Sequence, residues 1–215
     1  IHAADYNPSD KTLVRAIAEG IREFDRQSLH TALCAPGFAA LDYWRGESWL
    51  SLDSVYTYGP VYPPALHQYR DSQGLPFILM ESAFENEHGV DERGLRTQAY
   101  QALLTGATGH VFGNNPIWHF DGPGIYPAPT GWREALGSRG AQSMTHLRNL
   151  FAIVDWPRLV PDVEGRFLLS GHGGGKDRAV AAVAADRTFA MVYLPSARRF
   201  TVDLGRLAGS ASGQW

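Results

Sequence analysis

Apolar and polar positions follow two different rhythms along this chain, with the change near residue 161. From Ser9, SDKTLVRAIAEGIREFD supplies an N-cap candidate followed by Leu13, Ile17, Ile21 and Phe24, spaced as one face of a helix. LHTALCAPG and LDSVYTYGP are short apolar runs closed by Pro and Gly, and each predicts a strand. PPALHQYRDS predicts a short helix with Pro in its first turn, and it leads into the apolar run PFILM, which suits a strand buried on both faces. VDERGLRTQAYQALLTGATG then reads as a helix capped by Asp91 and stopped by glycines, HVFGN as a strand, and REALGSRGAQSMTHLRNLFAIV as one further helix. Repeated helix–strand units with short connections imply a parallel sheet with helices outside it, and right-handed crossovers leave a barrel or a doubly wound sheet. No glycine-rich phosphate loop follows any strand, and GHGGGKD near Gly171 lacks the required spacing and reads as a hairpin or loop. The barrel is favoured.

Beyond DWPRLVPD the runs RFLLSG, RAVAAVAAD, TFAMVYLP and RFTVDL are short, β-rich and split by turn residues, as in a small antiparallel domain. Strands near Leu33, Val55, Ile78 and Val111 number half of what a (β/α)8 barrel uses in about 250 residues. The expected fold class is therefore α/β: the C-terminal half of a (β/α)8 barrel over residues 1–161, then an incomplete antiparallel β-domain over 162–215. The chain opens without Met and stops just after an apparent strand and turn, so both ends read as cut from something longer.

Composition narrows the function classes. The 215 residues are 44% hydrophobic and 12% aromatic, enough for a substantial core. With 19 basic and 22 acidic residues and no run of like charge, neither nucleic acid nor a membrane surface is an expected partner. No stretch approaches the roughly 20 apolar residues of a membrane span. Cys34, the single cysteine, reads as a small buried hydrophobe. No motif for a cofactor or a compact metal-ligand set is present, so neither is expected.

The chemistry begins where the PFILM strand ends. Carboxyl ends of parallel strands are where α/β enzymes place reactive groups, so Glu81 is a candidate nucleophile or general acid/base, or else a carboxylate paired with an Arg in the barrel mouth. Glu85 could line the pocket, while Glu87 and His88 read as solvated loop charge. Cleaving an acetal needs two carboxyls, one to protonate the leaving oxygen and one to attack or activate water. Asp5, before the first helix, would occupy in its unit the place of Glu81; it and Asn7 could equally organise a turn in DYNPSD. A third cluster, GHVFGNNPIWHFDGPG, gathers aromatic rings, amides and a carboxylate, which suits a sugar whose C–H faces stack while its hydroxyls hydrogen-bond. Asn114 and Trp118 lead there, with His119 beside them, although His110 and His119 also fit as structural histidines. Trp44, Trp49, Tyr56 and Tyr58 either extend an aromatic platform or pack the rim.

Taken together, AADYNPSDKTLVRAIAEGIREFD, PFILMESAFE, QALLTGATGHVFGNNPIWHFD and GWREALGSRGAQSMTHLRNLF with DWPRLVPD resemble the apiosidase-like catalytic domain of bacterial glycoside hydrolases. The tail from Gly165 is similar to the collagen-binding-type β-domain that follows it. The resemblance implies a (β/α)8 barrel whose Asp after strand four matches Asp5, as acid/base, and whose Glu after strand seven matches Glu81, as nucleophile. It implies a carbohydrate substrate, a secreted or periplasmic setting, and the first half of the barrel coming from a longer chain; the contacts expected from the residues themselves are Asn7, Tyr58, Glu85, Asn114, Trp118 and His119. Two segments depart from the family pattern: HTALCAPG lacks a histidine near Cys34, and MESAFEN replaces the usual Gly-Glu-Pro surroundings. Apiose specificity does not transfer with the class. A carbohydrate-binding protein without catalysis, or an inert fragment of the enzyme, is the competing expectation.

Overall fold

The computed structural model describes residues 2–3, 10–72 and 74–215. Asp5 and Asn7 lie outside the described residues. Five parallel strands run in chain order: β1 (His2–Ala3), β2 (Leu33–Cys34), β3 (Asp53–Tyr56), β4 (Phe77–Glu81) and β5 (Gly109–His110). β1 pairs with β2, and β3–β4–β5 form a second ladder. The Ser54 hydroxyl, donating to the Ala32 carbonyl at 3.1 Å, links the two across β2 and β3. Between strands run α1 (Asp10–Phe24), α2 (Ala40–Trp44), α3 (Tyr62–Asp71) and α4 (Glu92–Leu103), and α5 (Trp132–Ala135) and α6 (Arg139–Ile153) follow β5. This is the α/β, partial-barrel arrangement that the pattern implied.

Alternation decides what each strand face does. Val55, Phe77 and Leu79 point outward and pack with Val61 just before α3, Ala65 of α3 and Ala102 of α4 in one cluster. Asp91 caps α4, accepting from the Gly94 N–H at 2.7 Å, as the sequence predicts. Cys34 is fully buried, and burial pushes its thiol up to about 11, consistent with an inert hydrophobe.

Two helices differ from expectation. α1 forms, but its buried positions are Val14 and Ala18, whereas Leu13, Ile17, Ile21 and Phe24 are solvent-facing, Phe24 being 92% exposed. A helix in a closed barrel packs on the sheet and on helices to either side, and nothing among the described residues covers this stripe. The helix expected across Arg133 to Val154 is two helices, because Ser138 takes extended angles and caps a new start, accepting from the Ala141 N–H at 3.2 Å.

β6 (Leu159–Pro161), β8 (Val180–Ala184) and β9 (Ala190–Tyr193) form one antiparallel sheet, and β7 (Leu168–Ser170) pairs with β10 (Thr201–Val202). GHGGGKD forms a loop with one 3-10 turn, Gly175–Asp177. The β-sheets pack directly on the barrel half: Leu104 and Phe151 share a buried cluster with Val180 and Ala182, and Tyr193 stacks on Tyr100 at 4.3 Å and 5°.

Candidate active site

Strict alternation would give Glu81 the outward face of Leu79. The β3–β4 register shifts between Val55 and Tyr56, so that Val55 pairs with Leu79 but Tyr56 pairs with Glu81. This irregularity admits Met80 as an extra residue and re-aims Glu81 to the side of Tyr56. There the Tyr58 hydroxyl donates to Glu81 Oε1 at 2.7 Å, and the Tyr56 and Tyr58 hydroxyls lie 2.8 Å apart. No arginine among the described residues pairs with Glu81.

Electrostatics keep the tyrosines protonated. Burial raises the Tyr58 phenol far above its ordinary value, and the neighbouring Glu81 carboxylate adds to the effect; Tyr56 is raised for the same reasons. Both remain neutral donors at any working pH. Tyr58, placed by sequence as a substrate contact or rim residue, therefore grips Glu81 itself.

A line of aromatic contacts leads away from this pair. His88 stacks on Tyr58 with centroids 4.3 Å apart and meets Tyr126 at 5.1 Å. Glu87, next to it, accepts from the Trp118 indole N–H at 2.8 Å. Trp118 is held at its edge while 45% exposed, so a ring face is open to a ligand. Glu87 is a correction: it is buried, because it anchors this indole instead of standing in solvent. The loop strain is local, since Asn86 and His88 both have positive φ, 66° and 52°, where non-glycine residues cost about 1–3 kcal/mol. Hydrogen bonds offset it, including Asn86 Nδ2 to the Asn115 carbonyl at 2.7 Å.

Glu85 and Asn114 are not the pocket lining that the sequence suggested. Both are buried, and Glu85 Oε2 accepts from Asn114 Nδ2 at 2.8 Å and from the Ser138 hydroxyl at 2.5 Å, while Oε1 accepts from the Gly140 N–H at 2.8 Å. A carboxylate with three donors at the N-terminus of α6 is a latch between the strand-end loops and that helix. His119 is also committed, its Nε2 lying 2.6 Å from Asn115 Oδ1, and Asn115 Nδ2 in turn donates to the Tyr126 and Pro127 carbonyls at 3.3 and 3.1 Å. Trp44 and Trp49 are no platform either, both being buried in the cluster of Val14, Ala18 and Leu41. His110 sits on β5, and burial holds its imidazole down at about 4, as befits a structural neutral histidine.

Sequence reasoning missed Tyr126, Glu87 and Ser138. Tyr126 lies in a Pro/Gly-rich loop without periodicity, so no local signal announces it; Ser138 could have been found as an N-cap within the long helical pattern.

This geometry agrees with the comparisons. The profile of the family "Apiosidase-like, catalytic domain" matches residues 1–158. No curated protein matches. Among solved structures, a glycoside hydrolase family 5 protein from Bacteroides vulgatus superposes with a TM-score of 0.75 at 23% identity, over 90% of this chain and 49% of its own. A second structure, described as a glycoside hydrolase, gives 0.78 at 23% identity, over 90% and 50%. The chain thus spans about half the length of these structures, and the likeness establishes a glycoside hydrolase-type fold. With its half-barrel architecture and the match over residues 1–158, the chain belongs to the apiosidase-like catalytic domain family.

Proposed function

We propose that this chain carries both carboxylates of a glycoside hydrolase site, with Glu81 as nucleophile and Asp5 as acid/base. The observation that supports it is the register shift that turns Glu81 at the end of β4 toward Tyr56 and into the grip of Tyr58. A carboxylate attacking an anomeric carbon must hold one oxygen still while the other reacts, and a neutral phenol bonded to Oε1 restrains it without adding charge. As the glycosidic bond breaks, the acid/base protonates the leaving oxygen and positive charge develops on the sugar ring, which the Glu81 carboxylate is placed to offset. Trp118, held by Glu87, would stack on the apolar face of a sugar.

Retention would require the two carboxyls about 5–5.5 Å apart, and inversion about 6.5–9.5 Å. The five strands in two parallel ladders among the described residues are fewer than the eight of a closed barrel, so a complete cleft would draw its remaining units from further chain. The boundary near Pro161 and a collagen-binding-type β-domain from residue 162 belong to the same proposal. The test is labelling with a 2-deoxy-2-fluoro glycoside. Mass spectrometry should find the adduct on the peptide carrying Glu81 and none on Glu81→Gln, whereas hydrolysis undiminished in Glu81→Gln would end the proposal.

A further inference from the structure

The first turn of α3 leaves one backbone donor to be satisfied from outside. It begins Tyr62, Pro63, Pro64; the prolines carry no N–H, and the Ala65 N–H already bonds the Val61 carbonyl at 3.1 Å. That leaves the Tyr62 N–H, and Val61 at the N-cap has no side-chain acceptor to offer. Gln101 of α4, fully buried, supplies one: its Oε1 accepts from the Tyr62 N–H at 3.2 Å. At the other end of the same amide, Nε2 donates to the Arg178 carbonyl at 2.9 Å. A carbonyl only accepts and a backbone N–H only donates, so Arg178 fixes which way the Gln101 amide faces.

Arg178 belongs to the later, antiparallel part of the chain. It leads from the GHGGGKD loop into β8, and its guanidinium lies 4.5 Å over the Tyr62 ring, with Nη2 donating to the Tyr62 hydroxyl at 3.5 Å. Lys176 of the same loop lines a small cavity of about 30 Å³ with Gly59, Pro60, Val61 and Gln101. The antiparallel part therefore meets the connection from β3 to α3, and that connection carries Tyr58. It is short, and Pro60 stiffens it by fixing its own φ. At the near end the Thr57 N–H donates to the Glu81 carbonyl at 3.0 Å, and at the far end Gln101 holds Tyr62. Tyr58 lies between these two anchors.

We propose that Gln101 is a positioning residue for Tyr58, and that the antiparallel part of the chain, through the Arg178 carbonyl, helps to set the hydrogen bond between Tyr58 and Glu81. Its weight for function rests on the reading of Glu81 as the reactive carboxylate; the coupling itself does not. Without Gln101 the Tyr62 N–H is left unpaired, and the first turn of α3 must move to find water, taking the Tyr58 connection with it.

The experiment is carbon-13 NMR of the 215-residue chain labelled at tyrosine Cζ, a carbon whose resonance reports the hydrogen bond of its hydroxyl. Tyr58→Phe assigns the Tyr58 signal by its loss, and Glu81→Leu gives the position of that signal once the carboxylate is removed. Gln101→Leu is expected to move the signal toward the Glu81→Leu position; a signal that stays at the parent's position, or moves away from both, overturns the proposal. If Gln101→Leu does not fold, Gln101→Glu carries the test. Its protonated carboxyl offers a donor and an acceptor as the amide does, whereas its ionised form cannot donate to the Arg178 carbonyl. Burial raises the pKa of a carboxyl placed there, so the Tyr58 signal should match the parent's at low pH and depart from it in one step as the pH rises, a step the parent lacks. A signal identical to the parent's throughout, or displaced from it equally at every pH, overturns the proposal. None of these readouts uses turnover. Undiminished hydrolysis by Glu81→Gln would therefore end the hydrolase reading and leave the coupling to be decided by the Tyr58 signal.

Discussion

At Glu81, one hydrogen bond from a neutral phenol holds carboxylate oxygen Oε1 in place. Bonds to a charged partner are worth about 1.5–3 kcal/mol. With Glu81 as the proposed nucleophile, Tyr58→Phe, which removes the donor and keeps the ring, should lower kcat by about 10- to 150-fold. Unchanged kcat in that variant would show that Glu81 is oriented by something else. His110 makes a second prediction at this scale. Burial lowers its imidazole from 6.5 to about 4. Between those values the unfolded chain takes a proton that the folded state refuses, so stability is complete above about pH 6.5 and is lost as the pH falls through 4. At about 1.4 kcal/mol per pH unit, the loss has a ceiling of about 3 kcal/mol. Urea midpoints measured across that window should fall in the parent, and His110→Asn should flatten the slope.

At the level of elements, the Glu85 latch decides where α6 sits. A Cβ added at Gly140 would come 2.3 Å from Glu85 Oε2 and 2.7 Å from Leu95 Cδ1. Alanine is normally better than glycine in a helix by about 1 kcal/mol, but overpacking costs about 1–3 kcal/mol. Gly140→Ala is therefore expected to destabilise, and a thermal midpoint equal to or above the parent's would contradict the latch. Glu85→Ala leaves Asn114, Ser138 and the Gly140 N–H without their acceptor, and each buried donor left unpaired costs about 1–3 kcal/mol. How much of this was legible depends on the range of the interaction. The caps at Asp91 and Ser138 and the apolar run of β4 are written within a few residues. The latch joins positions 53 and 55 residues apart, so the sequence offered Glu85 and Asn114 only as polar residues near strand ends, and burial reversed their reading.

Over the whole molecule, the barrel half and the β-sheets unfold together if their shared contacts dominate. Tyr193 stacks on Tyr100 and lies 3.2 Å from the Thr97 hydroxyl, Gln101 Nε2 donates to the Arg178 carbonyl at 2.9 Å, and the Arg178 guanidinium lies 4.5 Å over Tyr62. These add to an apolar cluster drawn from both sides. Tyr193→Ala should cost about 2–4 kcal/mol and shift the unfolding of both parts in parallel, since an aromatic truncation in a shared core is felt on each side. Two separate transitions by far-UV circular dichroism and by tryptophan fluorescence would refute a common core.

The sequence by itself determined the order of the elements, the parallel half-barrel, the later antiparallel strands and the place of Glu81 at a strand end, because periodicity, caps and breakers act over a few residues. The tertiary structure alone decided which face of α1 is covered, which way Glu81 points past the register shift, and which carboxylates are free. Those outcomes depend on pairing and burial between segments distant in the chain, and no local pattern encodes them.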